Sequence, residues 1–320
     1  MTRVLITGSG GFVGRVLVTK MAACGYEVWG ADRVATEGEF EGKRQLAVEL
    51  TDETAVETML DDVAPEAIVH LAAQASVRRS FDAPIETILN NTLPILYILD
   101  RLKQRPGDCR VLAIGSADEY GSVSSAERLP LREDSAVNPT NPYALAKSIQ
   151  NQYCRGYATL YGMDLVVTRS FNHTGAGQSD TFVLPSFAKQ ITQIKLGQRD
   201  PVIHVGNLEV KRDFLNVHDV CDAYIALLQK GQKGETYNVC SGNSYRVRDL
   251  LDQLCQLAGV DVEIKIDPDR VRPVDTPELR GDNGKIHADT GWMPVTPIEE
   301  TLQSLLDYWA QELSPDTKAT

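Results

Sequence analysis

No apolar run in this 320-residue sequence approaches the ~20 residues that a membrane-crossing helix needs. The amino terminus shows no signal-type apolar core, because its first hydrophobic run is short and already reads as a strand. Six cysteines are scattered along the chain with no C-x-x-C pair, so neither a disulfide framework nor a metal site is expected. Free thiols in a reducing, cytoplasmic compartment fit this pattern. Positive charge is in deficit, with a formal net charge of −12. Such a balance argues against nonspecific binding to nucleic acid or to an anionic membrane, while leaving room for a local basic pocket that takes a phosphate-bearing ligand. There is no internal repeat and no low-complexity segment; only the stretch after Glu312 looks loose. At 42% hydrophobic and 24% charged residues, the composition is that of a globular protein with a large core or two lobes.

What is present starts at the first strand. Arg3–Thr7 reads R-V-L-I-T, a β-branched apolar run suited to a buried strand. Gly8-Ser9-Gly10-Gly11-Phe12-Val13-Gly14 follows, and then a helical pattern with Val13, Val16, Leu17 and Met21 on one face. Strand, glycine-rich turn and helix are the context in which such glycines mean dinucleotide binding. One glycine permits the turn, one lets backbone approach a pyrophosphate, and one packs helix against strand. The helix N-terminus then faces the phosphates. Glu27–Ala31 reads as a second strand ending at Asp32, placed to bond ribose hydroxyls. Arg33 comes next and could meet a 2′-phosphate, so NAD(H) and NADP(H) both remain open.

The alternation continues. Strands are expected at Leu46–Leu50, Ala67–Leu71, Arg110–Gly115 and Asp164–Ser170, and helices at Thr54–Leu60, Ile85–Leu102 and Pro142–Tyr161. The pattern predicts a doubly wound α/β fold of the Rossmann type, a parallel sheet covered on both faces with its ligand at the carboxyl ends of the strands. After Phe171 the rhythm loosens. Helices are expected at Phe182–Leu196, Val217–Leu228, Val247–Leu257 and Ile298–Trp309, the last with Thr296 as N-cap and Pro297 at its first position. Residues 1–170 are read as the nucleotide domain, with 206–230 returning to it. Residues 171–205 and 231–315 are read as a smaller, partly interleaved substrate lobe.

Ser116 stands just past the fifth strand, and Tyr143 and Lys147 fall at i and i+4 on one helix, hence on one face. A nearby ammonium favours the ionised form of a phenol, so Tyr143 can exchange a proton while Ser116 orients the same oxygen. Lys147 can also reach a cofactor ribose. This is equipment for hydride exchange between a carbinol and a ketone.

By these motifs the chain resembles the extended short-chain dehydrogenases/reductases of the nucleotide-sugar branch. The resemblance rests on T-G-S-G-G-F-V-G at Thr7–Gly14, H-L-A-A-Q at His70–Gln74, Ser116, and Y-A-L-A-K at Tyr143–Lys147, and it spans nearly the whole chain. It implies cofactor contacts from Gly8, Gly11, Phe12, Gly14, Asp32, Leu71, Ala72, Ala73 and Asn91. Glu49-Leu50 stands where the family has Asp-Leu or Asp-Ile near the adenine. In the second half, R-S-F-N-H-T-G-A-G-Q at Arg169–Gln178, Phe182-Val183, G-N-L-E-V-K-R-D-F at Gly206–Phe214 and R-P-V-D at Arg272–Asp275 resemble the GDP-mannose 4,6-dehydratase and GDP-6-deoxy-D-mannose reductase group. Y-N-V-C-S-G at Tyr237–Gly242 is closest to the reductases. The resemblance implies that Asn172, Arg212 and Arg272 hold the pyrophosphate of a GDP-linked sugar and that Asp275 holds its ribose, with Val183, Lys189 and Asn207 as further contacts. Arginine forks and paired carboxylate acceptors suit those groups. His70 and His173 are read as structural, and His218-Asp219 as a helix start. The resemblance also implies a homodimer built on Ile85–Leu102 and Pro142–Tyr161, where Ile95, Leu96 and Leu99 fit either the interface or the core.

Reductase or dehydratase turns on Ser116-Ala117-Asp118-Glu119-Tyr120. A dehydratase of this group needs a glutamate two residues after the serine or threonine, to move the C5 proton and help the C6 hydroxyl leave. Asp118 holds that place one methylene short, and a base misplaced by ~1 Å can lose ~100-fold in rate. The reading is therefore NAD(P)H-dependent reduction of the C4 ketone of GDP-4-keto-6-deoxy-D-mannose. A 4,6-dehydratase or 4-epimerase with recycled cofactor is the alternative, and a non-catalytic dinucleotide sensor the remote one.

Overall fold

The computed structural model describes residues 1–34, 44–104, 109–122, 129–270 and 276–314. In its first half β1 (Arg3–Thr7), β2 (Glu27–Asp32), β3 (Arg44–Ala47), β4 (Ala67–His70), β5 (Arg110–Ser116) and β6 (Leu165–Ser170) alternate with α1 (Phe12–Ala23), α2 (Glu53–Val63), α3 (Val77–Asp82), α4 (Pro84–Leu102) and α5 (Pro142–Tyr161). The second half adds β7 (Asn172–Thr174), α6 (Val183–Lys195), β8 (Val202–Val205), β9 (Lys211–Arg212), β10 (Phe214–Asn216), α7 (Val217–Lys230) and β11 (Thr236–Val239). β12 (Tyr245–Arg246), α8 (Val247–Ala258), β13 (Glu263–Ile266), β14 (Glu278–Leu279), α9 (Gly284–Thr290) and α10 (Ile298–Glu312) complete it.

Seven parallel strands form the central sheet in the order β11-β6-β5-β4-β1-β2-β3. The chain runs outward from β1 in one direction and then, from β4, in the other. That reversal opens a crevice beside the carboxyl end of β1, where a doubly wound sheet takes its ligand. One face is covered by α1 and α7, which share a core with Val4, Ile6, Val69 and Leu112. The opposite face is covered by α2, α4 and α5 over Leu5, Ile68, Val111 and Val167. Both faces are buried, which is why these strands read as continuous apolar runs rather than alternating ones. Ile95 and Leu99 belong to the second core, fully buried.

The sheet departs from the sequence reading at both edges. β3 ends at Ala47 instead of reaching Leu50. The Val48 N–H still donates to the Asp32 carbonyl (2.8 Å), but Leu50 then turns into the core under α2, and Asp52 caps that helix by accepting from the Ala55 N–H. At the far edge, β11 pairs with β6 as the seventh strand, although residues 231–315 were expected in the smaller lobe. α9 packs its Ile286 into the same core as α7. Tyr237 and Val239 are as apolar as any central strand, and no local signal says which sheet they join. The lobe has its own core, where α6, α8 and α10 meet around Leu184, Ile191, Leu250, Leu254, Leu302 and Leu305. α10 starts at Ile298 as expected, but Pro297 rather than Thr296 stands at its cap. The Thr296 N–H is instead held by the Asp219 carboxylate (2.9 Å), which ties the helix entry to α7.

Candidate active site

The glycine turn sits in the crevice. Gly8 has φ +73°, a conformation that favours glycine, and a Cβ there would meet the Ala72 backbone nitrogen at 2.9 Å. Gly14 is buried; a Cβ on it would lie 2.2 Å from the Gly8 carbonyl oxygen. The turn is thus a cradle that any side chain would fill. Gly11 opens α1 without a side-chain cap, so the leading N–H groups of the helix are available to an anion. Asp32 lies against the turn, with one oxygen accepting from the Gly10 N–H (3.0 Å) and the other from the Arg33 N–H (2.7 Å). Arg33 is exposed. These residues fit an adenosine ribose and a pyrophosphate.

Other expected cofactor contacts are placed less uniformly. Leu71, Ala72 and Ala73 line the strand end beside the turn and are half-buried. Glu49 folds onto Thr51, whose hydroxyl (2.7 Å) and N–H (3.1 Å) both donate to its carboxylate and hold its pKa down. Asn91 is fully buried, and both ends of its amide are committed to Gln74, accepting from its N–H (2.7 Å) and donating to its carbonyl (3.0 Å). It shapes the loop after β4 from below instead of offering its amide to a ligand. His70 is buried beside Thr7 (2.8 Å) and held neutral, its pKa pushed down to about 3 by burial and by the Lys147 charge. His173 stacks on Phe12, the centroids 6.4 Å apart. Its Nδ1 lies 3.0 Å from the Phe171 carbonyl, and burial lowers its pKa; both describe a loop-structuring ring.

β5 delivers Ser116 to the crevice, and α5 delivers Tyr143 and Lys147. The helix starts where its sequence says, with Pro142 in the first turn and the Asn141 side chain accepting from the Ala144 N–H (2.8 Å). That cap fixes Tyr143 one residue inside the helix. Its phenol is pushed well above the ordinary range by burial and by the neighbouring Asp118 charge, while a hydrogen bond to Ser116 works the other way. Ser116 Oγ accepts from the Asp118 N–H (3.1 Å), which leaves its proton and one lone pair for another oxygen. Lys147 donates to the Ile114 carbonyl (2.7 Å) and to Gln150 (3.4 Å). Burial lowers its pKa to about 8, against an upward pull from Glu119. The arrangement can bind a carbonyl oxygen between Ser116 and Tyr143 and deliver a proton to it as hydride arrives.

On the substrate side, Asn172 lies in β7, just past the end of β6, and Val183 opens α6, more than a third exposed. Arg212 is buried, with Nη1 donating to the Lys211 (2.8 Å) and Thr276 (2.7 Å) carbonyls. Through Thr276, whose hydroxyl donates to the Gly121 carbonyl (3.4 Å), it is tied to the turn after Ser116. Arg272 and Asp275 lie outside the described residues. Lys189 does not present a free ammonium: it pairs with Asp180 (2.7 Å) and sits over the Trp309 ring. Asn207 is exposed and accepts from the Glu209 N–H (3.0 Å), closing its own loop.

The sequence reading missed Glu119, Asn151 and Arg169, which form a buried polar cluster under the site. A signal was present, because S-A-D-E at Ser116–Glu119 is a capping-box pattern.

A parallel sheet with this glycine cradle at its switch point, and a serine, tyrosine and lysine converging on the same crevice, defines an NAD(P)-dependent oxidoreductase of the extended short-chain dehydrogenase/reductase class. The chain belongs to the GDP-mannose 4,6 dehydratase family, whose description it matches over residues 5–305. It is 36% identical over 307 residues to a GDP-6-deoxy-D-mannose reductase from Pseudomonas aeruginosa, covering 96% of this chain and 97% of the relative. It is 30% identical over 286 residues to a GDP-6-deoxy-D-talose 4-dehydrogenase from Aggregatibacter actinomycetemcomitans, covering 89% and 90%. The solved structure of RMD from Pseudomonas aeruginosa complexed with NADPH superimposes with a TM-score of 0.87 at 33% identity, covering 98% of this chain and all of that one.

Proposed function

We propose that this enzyme reduces the C4 ketone of GDP-4-keto-6-deoxy-D-mannose to GDP-6-deoxy-D-mannose (GDP-D-rhamnose), consuming NADPH or NADH. The observation that carries the reading is the disposition of the turn after Ser116. Its only glutamate, Glu119, is turned under the site, fully buried and bonded to Ser116, Asn151 and Arg169. It cannot reach a sugar carbon. Ala117 is inert, and Asp118 is one methylene short of the base an elimination uses. Tyr143 is left as the proton donor, which suffices for reduction. The likeness to the Pseudomonas aeruginosa reductase supports the same choice, and the names of that relative and of the family support a GDP-linked substrate.

The nicotinamide, when bound, supplies the hydride. The protein's part is to hold the C4 oxygen with Ser116 and to protonate it from Tyr143. Lys147 lowers the cost of the phenolate left behind and steadies the nicotinamide ribose. Asn172 and Arg212, with Arg272 and Asp275, would hold the nucleotide end. Exposed Ile85, Leu89, Tyr153 and Leu160 on α4 and α5 give an apolar face suited to pairing with a second copy as a homodimer. No helix among the described residues is long and apolar enough to cross a membrane.

The test is to offer the 4-keto sugar nucleotide with NADPH or NADH and identify the product. Tyr143→Phe is expected to cut turnover by ~10²–10⁴-fold while sparing cofactor binding. Unchanged turnover would sink the assignment. A dehydratase or epimerase would act on GDP-mannose with no net use of external cofactor.

A further inference from the structure

Glu119 is as buried as any apolar core residue, yet it carries a carboxylate. Its Oε1 accepts the Ser116 N–H (3.0 Å), and its Oε2 accepts from Asn151 on α5 (3.0 Å) and from Arg169 Nε on β6 (3.3 Å). Oε1 packs so tightly under β5 that a Cβ on Gly115 would meet it at 2.6 Å. One residue back, the Ile114 carbonyl takes the Lys147 ammonium (2.7 Å). Lys147 and Asn151 stand one helical turn apart on α5. The carboxylate is thus surrounded by the three elements that must be in register for the chemistry.

We infer that Glu119 is a positioning residue of this site: from beneath the serine turn its carboxylate locks the Ser116 backbone to β6 and to α5, the helix that carries Lys147. The inference rests on the reduction proposed above for its kinetic readout. A burial this complete normally neutralises a carboxyl, and indeed burial raises the Glu119 pKa to about 7, with Ser116, Arg169 and Asn151 opposing it. The charged form is favoured by the Ser116 N–H first and then by Arg169, which is held in turn by the Glu133 carbonyl (3.0 Å) and stacked on Tyr120. Burial simultaneously drives Lys147 down, and Glu119 is its leading counterweight. The other titratable groups facing the pair are Tyr143 and Cys154 on α5, Asp118 and Tyr120 on the serine turn, and His70, which faces Lys147 from β4. Of the groups facing Lys147, Glu119 pulls it up most, and Cys154 adds to that pull.

Glu119→Gln removes the charge and lets the amide oxygen still accept from Ser116, but its NH2 cannot accept from Asn151 and Arg169 as Oε2 does, so the pH profile rather than stability is the readout. With the charge gone, Lys147 loses its proton at lower pH. The alkaline limb of kcat/KM is expected to move down by ~1 pH unit, the size of one partly screened charge interaction in a protein interior. KM for the sugar nucleotide at pH 6 should stay within ~3-fold of wild type. The same limb can be read without substrate, from the pH dependence of NADPH affinity, so the outcome is independent of the assigned ketone. Wild-type enzyme that fails to reduce the ketone refutes the proposed reaction only. Wild-type and E119Q limbs that coincide in the NADPH titration refute the role of Glu119. Should E119Q not fold, Glu119→Asp withdraws the charge by one methylene and is expected to shift the limb in the same direction by less; an unmoved limb in a folded E119D enzyme overturns the inference equally.

Discussion

Replacing Gly14 by alanine adds one carbon where the turn has no room. The new Cβ would stand 2.2 Å from the Gly8 carbonyl oxygen, 2.7 Å from that of Ser9 and 2.8 Å from the Ser9 carbonyl carbon. Ordinary contact needs ~3.4 Å or more, so the overlap is ~1 Å, and all three atoms are backbone that cannot rotate away. Overpacking a core typically costs ~1–3 kcal/mol. A clash with backbone on both sides of a glycine turn belongs at or above the top of that range. Gly11→Ala is the matched control from the same turn, because its Cβ meets only the Gly8 oxygen, at 3.2 Å. A shift of a few tenths of an ångström accommodates it, at a cost below ~1 kcal/mol. Thermal melts should therefore separate the two variants by several degrees, using ~2–4 °C per kcal/mol for a protein a little smaller than this one. NADPH fluorescence titration should show Gly14→Ala losing at least ~10-fold in affinity, since relief of the clash displaces by ~1 Å the N–H groups that face the pyrophosphate. A Gly14→Ala protein that melts with the wild type and binds NADPH normally would falsify the packing argument for this turn.

The His70 ring is neutral in the fold because burial lowers its pKa from 6.5 to about 3. Between those values the unfolded chain binds the extra proton, so the His70 contribution is intact above pH 6.5 and is lost as pH falls toward 3. Its slope is ~1.4 kcal/mol per pH unit, and urea melts of His70→Gln against wild type from pH 7 to 4 should converge on acidification; parallel curves contradict the assignment. Asp213 is buried and accepts from the Ser241 N–H (2.8 Å) and hydroxyl (2.6 Å), the Gly242 N–H (3.0 Å) and the Gly281 N–H (3.3 Å). Asn cannot accept on both sides, so Asp213→Asn should cost ~2–4 kcal/mol in chemical denaturation; a loss under ~0.5 kcal/mol would show that the loops are held otherwise. The Asp32 carboxylate, beside Gly10 and followed by Arg33, repels a 2′-phosphate, so Asp32→Asn should raise the NADPH-to-NADH affinity ratio by ~10-fold, about one unscreened charge contact. An unchanged ratio would place the adenosine ribose elsewhere.

The sequence alone determined the sheet-forming half. β1, the glycine turn and α1 are set by local preference: β-branched residues for the strand, glycines for the turn, an apolar stripe for the helix. α5 was legible to the residue because Pro142 and the Asn141 cap act within one turn. The spacing of Tyr143 and Lys147 follows from helical geometry, so the chemistry could be read before any fold was known. Tertiary structure decided what depends on distant partners. Thr236–Val239 is a short apolar strand that could join any sheet, and only β6 with an open edge made it the seventh. Asn91 looked like a cofactor contact until the loop at Gln74 took both ends of its amide, and Lys189 like a substrate contact until Asp180 and Trp309 did the same. Glu119 could be seen as a cap for its own turn. Its burial and its pairing with Arg169, fifty residues on, exist only because β5, β6 and α5 close around it, and a charge in a low-dielectric interior is stable only with such partners in place.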